Sequence, residues 1–351
     1  MKPRPFSASV IALRSRLQGL LGSYRSIGRG LLVCVTIALA TTFIADHYGG
    51  PTLLYALLFG MSLHFLSEES RCREGIEFAA RTVLRLGVAL LGARMTLAQV
   101  GDLGLGPVLT VIGSVALVIV LGALCARVLG LPRDLGLLTG GAVAICGASA
   151  ALALSAVMPR HETSERNTIL TVVGVTTLST MAMVIYPLIA GVLEFSNIQA
   201  GIFLGGTIHD VAQVVGAGYM ISEQTGDNST LVKLVRVAML VPAVMVFMWF
   251  FRASRHEEGK ATKVPMLPSF LVGFVVLVVV NSLGLIPETM NEGMSTLSRW
   301  CLVTAIAALG IKTSFQKLAV VGWRPVILMI LETLLLLGVV LGAVILGGLG
   351  V

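Results

Sequence analysis

Apolar runs of membrane-spanning length alternate with short clusters of charge, proline and glycine along most of this chain. About 20 apolar residues cross about 30 Å of hydrocarbon, and backbone at that depth must satisfy its own hydrogen bonds, so such runs are predicted to be helices. We number them as segments 1 to 11, covering residues 30–47, 51–67, 76–98, 105–129, 134–157, 166–193, 198–220, 230–252, 266–286, 293–315 and 320–350. The pattern predicts an all-α polytopic membrane protein with about nine to eleven transmembrane segments.

Composition agrees with this pattern. Hydrophobic residues make up 56% of the 351 residues and charged residues only 12%, and the mean hydropathy is +0.93. A water-soluble globule of this length does not have such a composition. The lipid bilayer is therefore the predicted surrounding of almost the whole chain.

The formal net charge of +7 comes from basic residues at segment ends and in short loops. They form no patch interleaved with aromatic residues, so nucleic acid is not an expected partner. Residues 1–29 carry basic residues and no acid, which predicts a basic, amphipathic N-terminus in the cytoplasm. The basic loop residues that should also lie inside are Arg71, Arg73, Arg127, Arg133, Arg252, Arg255, Lys260 and Lys263. The stretches 46–52, 95–104 and 285–298 lack Lys and Arg and should face out, as should the C-terminus.

Signatures of enzymes and metal sites are weak in this sequence. A phosphate loop, HExxH and GxSxG are all missing, so we expect no catalytic residues, no enzymatic activity and no cofactor. The cysteines are scattered, without CxxC or Cys/His ligand spacing, which argues against disulfides and a metal site. They are Cys34, Cys72, Cys125, Cys146 and Cys301.

An internal repeat emerges when the chain is compared with itself at a shift of 218 residues. Ten identities fall within the 37 positions from 81 to 117. The most informative pairs are Arg81 with Arg299, Gly92 with Gly310, Gly104 with Gly322 and Pro107 with Pro325. Basic residues precede segment 3 but follow segment 10, so the two copies should be inverted. We predict inverted repeats, 51–130 and 268–350, within one transmembrane unit of residues 30–350, an architecture typical of secondary transporters.

Two segments, 134–157 and 198–220, contain strings that are unusual for spanning helices. Each string opens on a Gly-Gly pair, which permits unwinding and a close approach to a ligand. Half-helix N-termini in broken helices would then present N–H groups and positive dipole ends to an anion. Tight helix packing of small residues is the alternative for the first string. The substrate-binding candidates here are Gly140, Gly141, Cys146, Gly147, Ser149, Gly205 and Gly206.

Ionisable residues inside these apolar segments are further candidates. His209 and Asp210 would each cost about 2.5 to 3.5 kcal/mol in hydrocarbon unless paired or hydrated, so we expect them to bind substrate or a coupling ion. Gln213 lies on the same helical face as His209, at i+4, and joins the substrate-binding set. His209 can accept a proton near neutral pH, although a buried histidine bonded to a carbonyl is the alternative.

Five other charged residues and one histidine are less specific. Lys233 and Arg236, three residues apart, either bind an oxyanion or anchor their helix at the membrane interface. Arg94 and Lys312 occupy equivalent repeat positions, where long basic side chains commonly snorkel to the interface. Glu332 and His64 are predicted to be packing or interface residues.

Charge placement also bears on how segments 5 and 7 enter the membrane. If segment 5 crossed fully, Arg160 and Arg166 would lie outside, and the Lys- and Arg-free turn 194–198 would lie inside. Both placements oppose the positive-inside bias, and re-entry of the two segments removes the conflict. We therefore expect segments 5 and 7 to be re-entrant, or broken near their Gly-Gly pairs.

The strings AICGASAA and GGTIHDVAQVVGAG, the spacing of Lys233 and Arg236 before Pro242, and the LGAR and LGIK boxes resemble the YeiH-type family of proposed sulfate exporters. The resemblance covers residues 30 to 350. It implies a multi-pass transporter of the bacterial inner membrane, in the superfamily that also holds cation/proton antiporters and bile acid symporters. It also implies discontinuous helices in a core domain.

These observations together predict a secondary transporter of a small anion such as sulfate or a sulfonate. An inside-negative potential favours the exit of a dianion by about 4.6 kcal/mol per 100 mV, so export is the expected direction. A sodium- or proton-coupled importer or antiporter is the first alternative, and a channel or holin-like permeability protein is the second. Association into a homodimer stays open.

Overall fold

The computed structural model describes residues 5–102, 104–159, 162–251, 268–313 and 323–350. These residues form helices and turns with no β-strand among them, which confirms the all-α prediction. The basic residues Lys2, Arg4, Arg160, Arg252, Arg255, Lys260, Lys263 and Lys317 of the predicted loops and N-terminus lie outside the described residues.

Six helical stretches in the described part of the chain are long and apolar enough to cross a membrane. Their candidate spans are Ile27–Tyr48, Leu105–Val128, Ser164–Val192, Glu223–Phe250, Glu288–Lys312 and Trp323–Leu346. In chain order, the helices are α1 Pro5–Tyr48, α2 Thr52–Ser62, α3 Ser70–Phe78, α4 Leu84–Leu91, α5 Leu97–Asp102, α6 Leu105–Val128, α7 Arg133–Ala144, α8 Ala148–Ser155, α9 Ser164–Val192, α10 Asn197–Thr207, α11 Val211–Ile221, α12 Glu223–Ala238, α13 Leu240–Phe250, α14 Ser269–Ser282, α15 Glu288–Lys312 and α16 Trp323–Leu346.

The other five predicted segments are shorter or interrupted. Segments 2 and 9 contain the short helices α2 and α14. Segment 3 contains a π-helical turn over Ala79–Val83 and ends in a 3₁₀ turn over Gly92–Arg94. Segments 5 and 7 each consist of two half-length helices. Hydropathy counts apolar residues and does not detect such interruptions, which explains the higher predicted number.

The chain divides into two compact units, Met1–Arg85 with Trp300–Thr313 and Leu86–Arg299 with Ser314–Val351. In the first unit, glycines bring helices α1 and α3 into backbone contact. A Cβ atom added at Gly75 would lie 2.2 Å from the carbonyl oxygen of Ile27, and one at Gly30 would lie 2.1 Å from that of Cys72. Only glycine permits this approach, because small residues let helix backbones pack closely in membranes.

The second unit carries both interrupted segments. Helices α6 and α16 pack antiparallel, since Gly106 near the start of α6 lies beside Leu349, just after the end of α16. At the other end of this pair, Ala126 of α6 and Leu328 of α16 share a buried cluster with Leu135 of α7. The half-helices therefore lie among long helices that run in both directions.

Segment 5 is interrupted between α7 and α8, and segment 7 between α10 and α11. At the first break Gly147 has φ of +62°, a left-handed conformation that favours glycine. At the second break Ile208 and Asp210 are extended. The breaks lie near the Gly-Gly pairs but not at them, because Gly140, Gly141, Gly205 and Gly206 lie inside the last turns of α7 and α10.

Gly75 and Gly293 provide a matched test of the α1–α3 contact, since 75 + 218 = 293. Gly75→Ala should lower the melting temperature of the detergent-purified protein, because overpacking costs about 1 to 3 kcal/mol. Gly293 has open space around its Cβ position. Gly293→Ala should therefore leave the melting temperature unchanged or raise it, since alanine is the better helix former by about 1 kcal/mol. Equal effects of the two substitutions in thermal unfolding would contradict this packing.

Candidate substrate site at two helix interruptions

A buried lysine joins the two interruptions. Lys233 of α12 donates from Nζ to the carbonyl oxygen of Ile145 at 2.8 Å and to that of Ile208 at 2.9 Å. Ile145 follows α7 and Ile208 follows α10, so one ammonium group holds the tips of two half-helices side by side. The side chain is fully buried.

Arg236, one turn further along α12, binds the same two tips. Its Nε donates to Ala144 O at 2.9 Å and its Nη2 to Val143 O at 2.9 Å, both in the last turn of α7. Its Nη1 donates to Gly205 O at 3.1 Å and to Ile208 O at 3.0 Å, at the end of α10. Arg236 is 0% exposed.

These contacts satisfy carbonyl groups that an interrupted helix would otherwise leave without donors in a membrane. The last four carbonyl groups of a helix have no partner within it, and its C-terminus carries a partial negative charge. Lys233 and Arg236 donate hydrogen bonds to carbonyl groups at the C-terminal ends of both α7 and α10. Their positive charges also neutralise the partial negative charges of these two helix ends. The interfacial-anchor interpretation of these two residues is wrong, because both are buried at the breaks. Their described hydrogen bonds all go to main-chain carbonyls, so direct binding of an oxyanion by them stays a prediction.

The helices that follow the two breaks, α8 and α11, differ in how their N-termini are capped. Asp210 caps α11, since its carboxylate accepts from the N–H of Ala212 at 3.0 Å. Helix α8 begins after Gly147, which has no side chain to cap it. The N–H groups of Ala148 and Ser149, in the first turn of α8, therefore receive no hydrogen bond from the side chain of the cap residue. Ser149 is exposed and Ala148 is half-buried, in contrast to the buried residues before them.

His209 lies between the two tips and the last helix. Its Nε2 is 3.0 Å from the hydroxyl of Thr333 on α16, and its Cβ lies 3.7 Å from the position a Cβ would take on Gly147. Gln213 donates to Thr180 of α9 at 3.4 Å, while its carbonyl oxygen is buried without a partner among the described residues. Both side chains are buried, so this structure brings His209 to the tips and directs Gln213 towards α9.

The four glycines of the Gly-Gly pairs serve helix packing. A Cβ on Gly140 would lie 2.9 Å from Val118 O of α6, and one on Gly141 would lie 2.3 Å from Leu154 of α8. A Cβ on Gly205 would lie 2.4 Å from Ser229 O of α12. A Cβ on Gly206 would likewise crowd the side chain of Val340 on α16. Substrate contact by these glycines and by the buried Cys146 stays a prediction.

Sequence reasoning missed a polar contact that is central to this region. Glu332 of α16, predicted to be a packing or interface residue, is 1% exposed and lies 2.8 Å from the hydroxyl of Thr139 on α7. The available signal was a single acid within the apolar segment 11, where carboxyl groups are rare.

Arg94 and Lys312 both form ion pairs, and snorkelling of their side chains to the interface stays a prediction. Arg94 pairs with Glu223 at 3.1 Å and with Asp227 at 3.4 Å, at the start of α12. Lys312 pairs with Glu77 in the first unit. Long-range partners of this kind cannot be read from a helix-end position. Among the described residues no group of histidine, cysteine and acidic side chains has the arrangement of a metal site.

The fold and these contacts define an all-helical, multi-pass membrane protein with two interrupted helices joined by buried cations. Residues 29–329 match the family described as conserved hypothetical protein 698, and the chain belongs to this family. It is 54% identical over 317 residues to the UPF0324 membrane protein CT0845 of Chlorobaculum tepidum, covering 90% of this chain and 88% of that one. It is 50% identical to the UPF0324 membrane protein TauZ of Paracoccus denitrificans, covering 88% and 91% of the two chains. No solved structure matches the chain.

Replacing Arg236 tests the role of the buried cations. Arg236→Leu removes a group that makes four hydrogen bonds to carbonyls, and each orphaned buried carbonyl costs about 1 to 3 kcal/mol. We expect a large fall in the melting temperature and in the yield of folded protein. Lys233→Leu, which removes two such bonds, should have a smaller effect. Arg299→Leu, at an exposed position of α15, is the control and should be near neutral. An Arg236 variant as stable as the control would refute the capping role.

Proposed function

We propose that this protein is a secondary transporter of a small anion, and that the joined helix interruptions form its substrate site. The observation that carries the proposal is the pair of fully buried cations, Lys233 and Arg236, at the tips of two half-helices. Basic residues at membrane depth are costly and mark substrate or ion pathways. Discontinuous helices at the bilayer midplane are the usual binding elements of secondary transporters.

The helix boundaries support the predicted repeat. Helix α6 begins at 105 and ends at 128, and α16 begins at 323 and ends at 346; 105 + 218 = 323 and 128 + 218 = 346. The stretch from the start of α3 at 70 to Arg94, which includes most of segment 3, shifts in the same way onto α15, residues 288 to 312. The antiparallel packing of α6 and α16 supports inversion, because equivalent helices of inverted repeats run in opposite directions.

Equivalent glycines also make equivalent contacts. Gly310 packs against α2, where its Cβ would lie 2.3 Å from Leu57 O. Its repeat partner Gly92 packs against α14, where its Cβ would lie 2.4 Å from Phe274 O. Each half therefore binds a helix of the other half. Two equivalent halves that can exchange conformations are the physical basis of alternating access, which favours a transporter over a channel.

Hydrogen bonds between its two ends support re-entry of segment 7. Asn197, at the start of α10, accepts from the hydroxyl of Ser222 at 2.9 Å and donates to Gln224 at 3.1 Å. Ser222 and Gln224 lie just after the end of α11. A segment whose two ends are in contact returns to the membrane side from which it entered. We infer that α10 and α11 form a hairpin with His209 near its tip.

The directions of α6 and α9 support a second hairpin in segment 5. Phe195, after the end of α9, packs on a cluster with Val111, in the first part of α6, and Val344, near the end of α16. The end of α9 and the start of α6 therefore lie on one side. If α6 and α9 both cross, the chain leaves α6 and enters α9 on the other side. We infer that α7 and α8, which lie between, also enter and return.

The anion is proposed to bind at the start of α8, near Gly147, Ala148 and Ser149. This N-terminus has no capping side chain, and helix N-termini bind anions through free N–H groups and the dipole. The start of α11 is less suitable, because Asp210 already caps it. Lys233 and Arg236 outnumber Asp210 by one charge at the tips, so the region has a net positive potential that attracts an anion.

The same contacts argue against a sodium site at the tips. Carbonyl oxygens at half-helix C-termini are the usual ligands of coupling sodium ions in such folds. Here the carbonyl oxygens of Val143, Ala144, Ile145, Gly205 and Ile208 all accept from Lys233 or Arg236. The proposed substrates are sulfate and small sulfonates, and the proposed direction is export through the inner membrane, driven by the membrane potential.

Ligand-dependent thermal stabilisation tests the anion site. Sulfate or a small sulfonate should raise the melting temperature of the purified protein at constant ionic strength, because a ligand that binds only the folded state stabilises it. Ser149→Ala and His209→Ala should each remove most of this shift. Ser155→Ala, at the other end of α8, is the matched control and should keep it. If both site variants retain the wild-type shift, the proposed site is wrong.

Cysteine accessibility tests the two hairpins. Single cysteines at Arg133, Glu162, Asn197 and Gln224 in a cysteine-free background are labelled in intact cells with a membrane-impermeant maleimide. We expect labelling at Asn197 and Gln224, and labelling at Arg133 and Glu162 only after the membrane is made permeable. Opposite labelling of Arg133 and Glu162, or of Asn197 and Gln224, would establish ordinary crossings instead.

A further inference from the structure

A single carboxyl group lies buried where α16 meets α7. Glu332 is 1% exposed, its Oε1 lies 2.8 Å from the hydroxyl of Thr139, and its Oε2 has no hydrogen-bond partner among the described residues. Two glycines make room for it. A Cβ on Gly122 of α6 would lie 2.5 Å from Oε1, and one on Gly140 of α7 would lie 3.5 Å from it. Close-packed helices thus leave a cradle shaped for this carboxyl group.

The hydrogen bonds around Glu332 suit a neutral carboxylic acid. The hydroxyl of Thr139 is also 2.9 Å from the carbonyl oxygen of Leu135, and a hydroxyl has only one hydrogen to donate. If Thr139 donates to Leu135, its oxygen accepts from a protonated Glu332, and both bonds are made. An ionised Glu332 would have at most one donor and an unsatisfied buried oxygen, which is costly. The hydrogen-bond geometry therefore favours the protonated acid.

No cation near Glu332 compensates a negative charge among the described residues. The helices packed against α16 are α6, α7, α9 and α10. Their titratable or charged side chains, with those of α16 itself and of the tip after α10, are Cys125, Arg127, Arg133, Asp134, Glu165, Arg166, Tyr186, His209, Asp210 and Arg324. The hydrogen bonds and ion pairs described for Glu332 include none of them, and Thr139 is its partner. A proton is the cation that can neutralise the group in this packing.

Glu332 also lies beside both interrupted segments, where movement of their tips would change its contacts. Glu332 contacts Thr139 in the first interrupted segment, and the next residue, Thr333, contacts His209 in the second. One turn of α16 thus holds a polar contact to each half of the site. A change of charge on Glu332 would break the contact with α7 and alter how α16 packs against the first hairpin.

We propose that Glu332 is the proton-binding site of this transporter, and that its protonation is coupled to the contact between α16 and the α7–α8 hairpin. In the described packing, the carboxyl group holds its proton. When the contact opens to water on one side, the O–H bond breaks, the proton passes to water and the carboxylate is hydrated. Reprotonation from the other side allows the contact to re-form. This proposal rests on the proposed anion transport, and it assigns protons as the coupling ion.

The test compares Glu332→Gln with Ser114→Ala. Glutamine keeps the shape of the side chain and its contact with Thr139 but cannot exchange a proton. Ser114 is the repeat equivalent of Glu332, since 332 − 218 = 114, and is also 1% exposed. Its hydroxyl donates locally to Val111 O at 2.9 Å. It therefore controls for the loss of a buried polar group in the same core.

Two measurements are made on each purified protein. Infrared difference spectra between high and low pH report the carbonyl band of a protonated buried carboxyl group. Proteoliposomes with an internal pH indicator report proton movement driven by a sulfate or sulfonate gradient, and exchange of labelled substrate is measured in parallel. We expect Glu332→Gln to lose the infrared band and to lower proton movement by about tenfold or more, while substrate exchange continues. Ser114→Ala should behave as wild type.

Failure of this proposal can be told apart from failure of the proposed function. Substrate-driven proton movement that persists in Glu332→Gln, or substrate transport by wild type without proton movement, would overturn the role of Glu332. If the wild-type protein transports neither sulfate nor a sulfonate, the proposed anion transport is wrong. The infrared band still decides whether Glu332 binds a proton. If Glu332→Gln does not fold, Thr139→Val keeps the carboxyl group and removes its partner. It should shift the pH midpoint of the band, and an unchanged midpoint would count against the proposal.

Discussion

Main-chain carbonyl groups inside a membrane need donors, and this constraint explains much of the second unit. A helix that stops within the bilayer leaves its last carbonyls without partners, at a cost of several kcal/mol each if they stay unsatisfied. Lys233 and Arg236 supply the donors from a single helix, α12. Because the same two side chains serve both interruptions, the tips of two separate segments must lie together. The position of the candidate site follows from this requirement.

Close packing around the tips depends on glycines. Helix α12 approaches both α10 and α11 through Ser229, which lies 2.4 Å from the Cβ position of Gly205 and 2.2 Å from that of Gly218. The side chains of Lys233 and Arg236 reach the tips only if their own helix passes this close. The glycines and the cations are thus parts of one arrangement, in which loss of either would separate the half-helices from α12.

Hydropathy and charge predicted the fold class and the long helices, because membrane insertion depends on local composition. The same reasoning identified both unusual segments and expected their breaks near the Gly-Gly pairs, but it could not tell that the glycines themselves stay helical. Glycine permits both unwinding and close packing, and only the neighbouring helices decide between these outcomes. Lys233 was a candidate for substrate binding, and its actual partners are carbonyls that lie 88 and 25 residues away in the chain. Such partners depend on tertiary packing, which spacing within one segment does not report.

Glu332 illustrates the same limit for a single residue. In the sequence it is one acid among many apolar residues, without a repeat partner of like chemistry. Its significance comes from Thr139 and from the space left by Gly122, on two other helices. Buried polar groups acquire meaning from what surrounds them, and a rare acid in a membrane segment is best treated as a site until its neighbours are known.

The capping of both tips by covalently attached cations has a consequence for the environment in which the protein works. A bound metal ion leaves its site when the surrounding solution is dilute, whereas a tethered side chain stays at a high effective concentration whatever the solution contains. The joined tips are therefore a permanent part of the folded chain, independent of the salt composition on either side of the membrane.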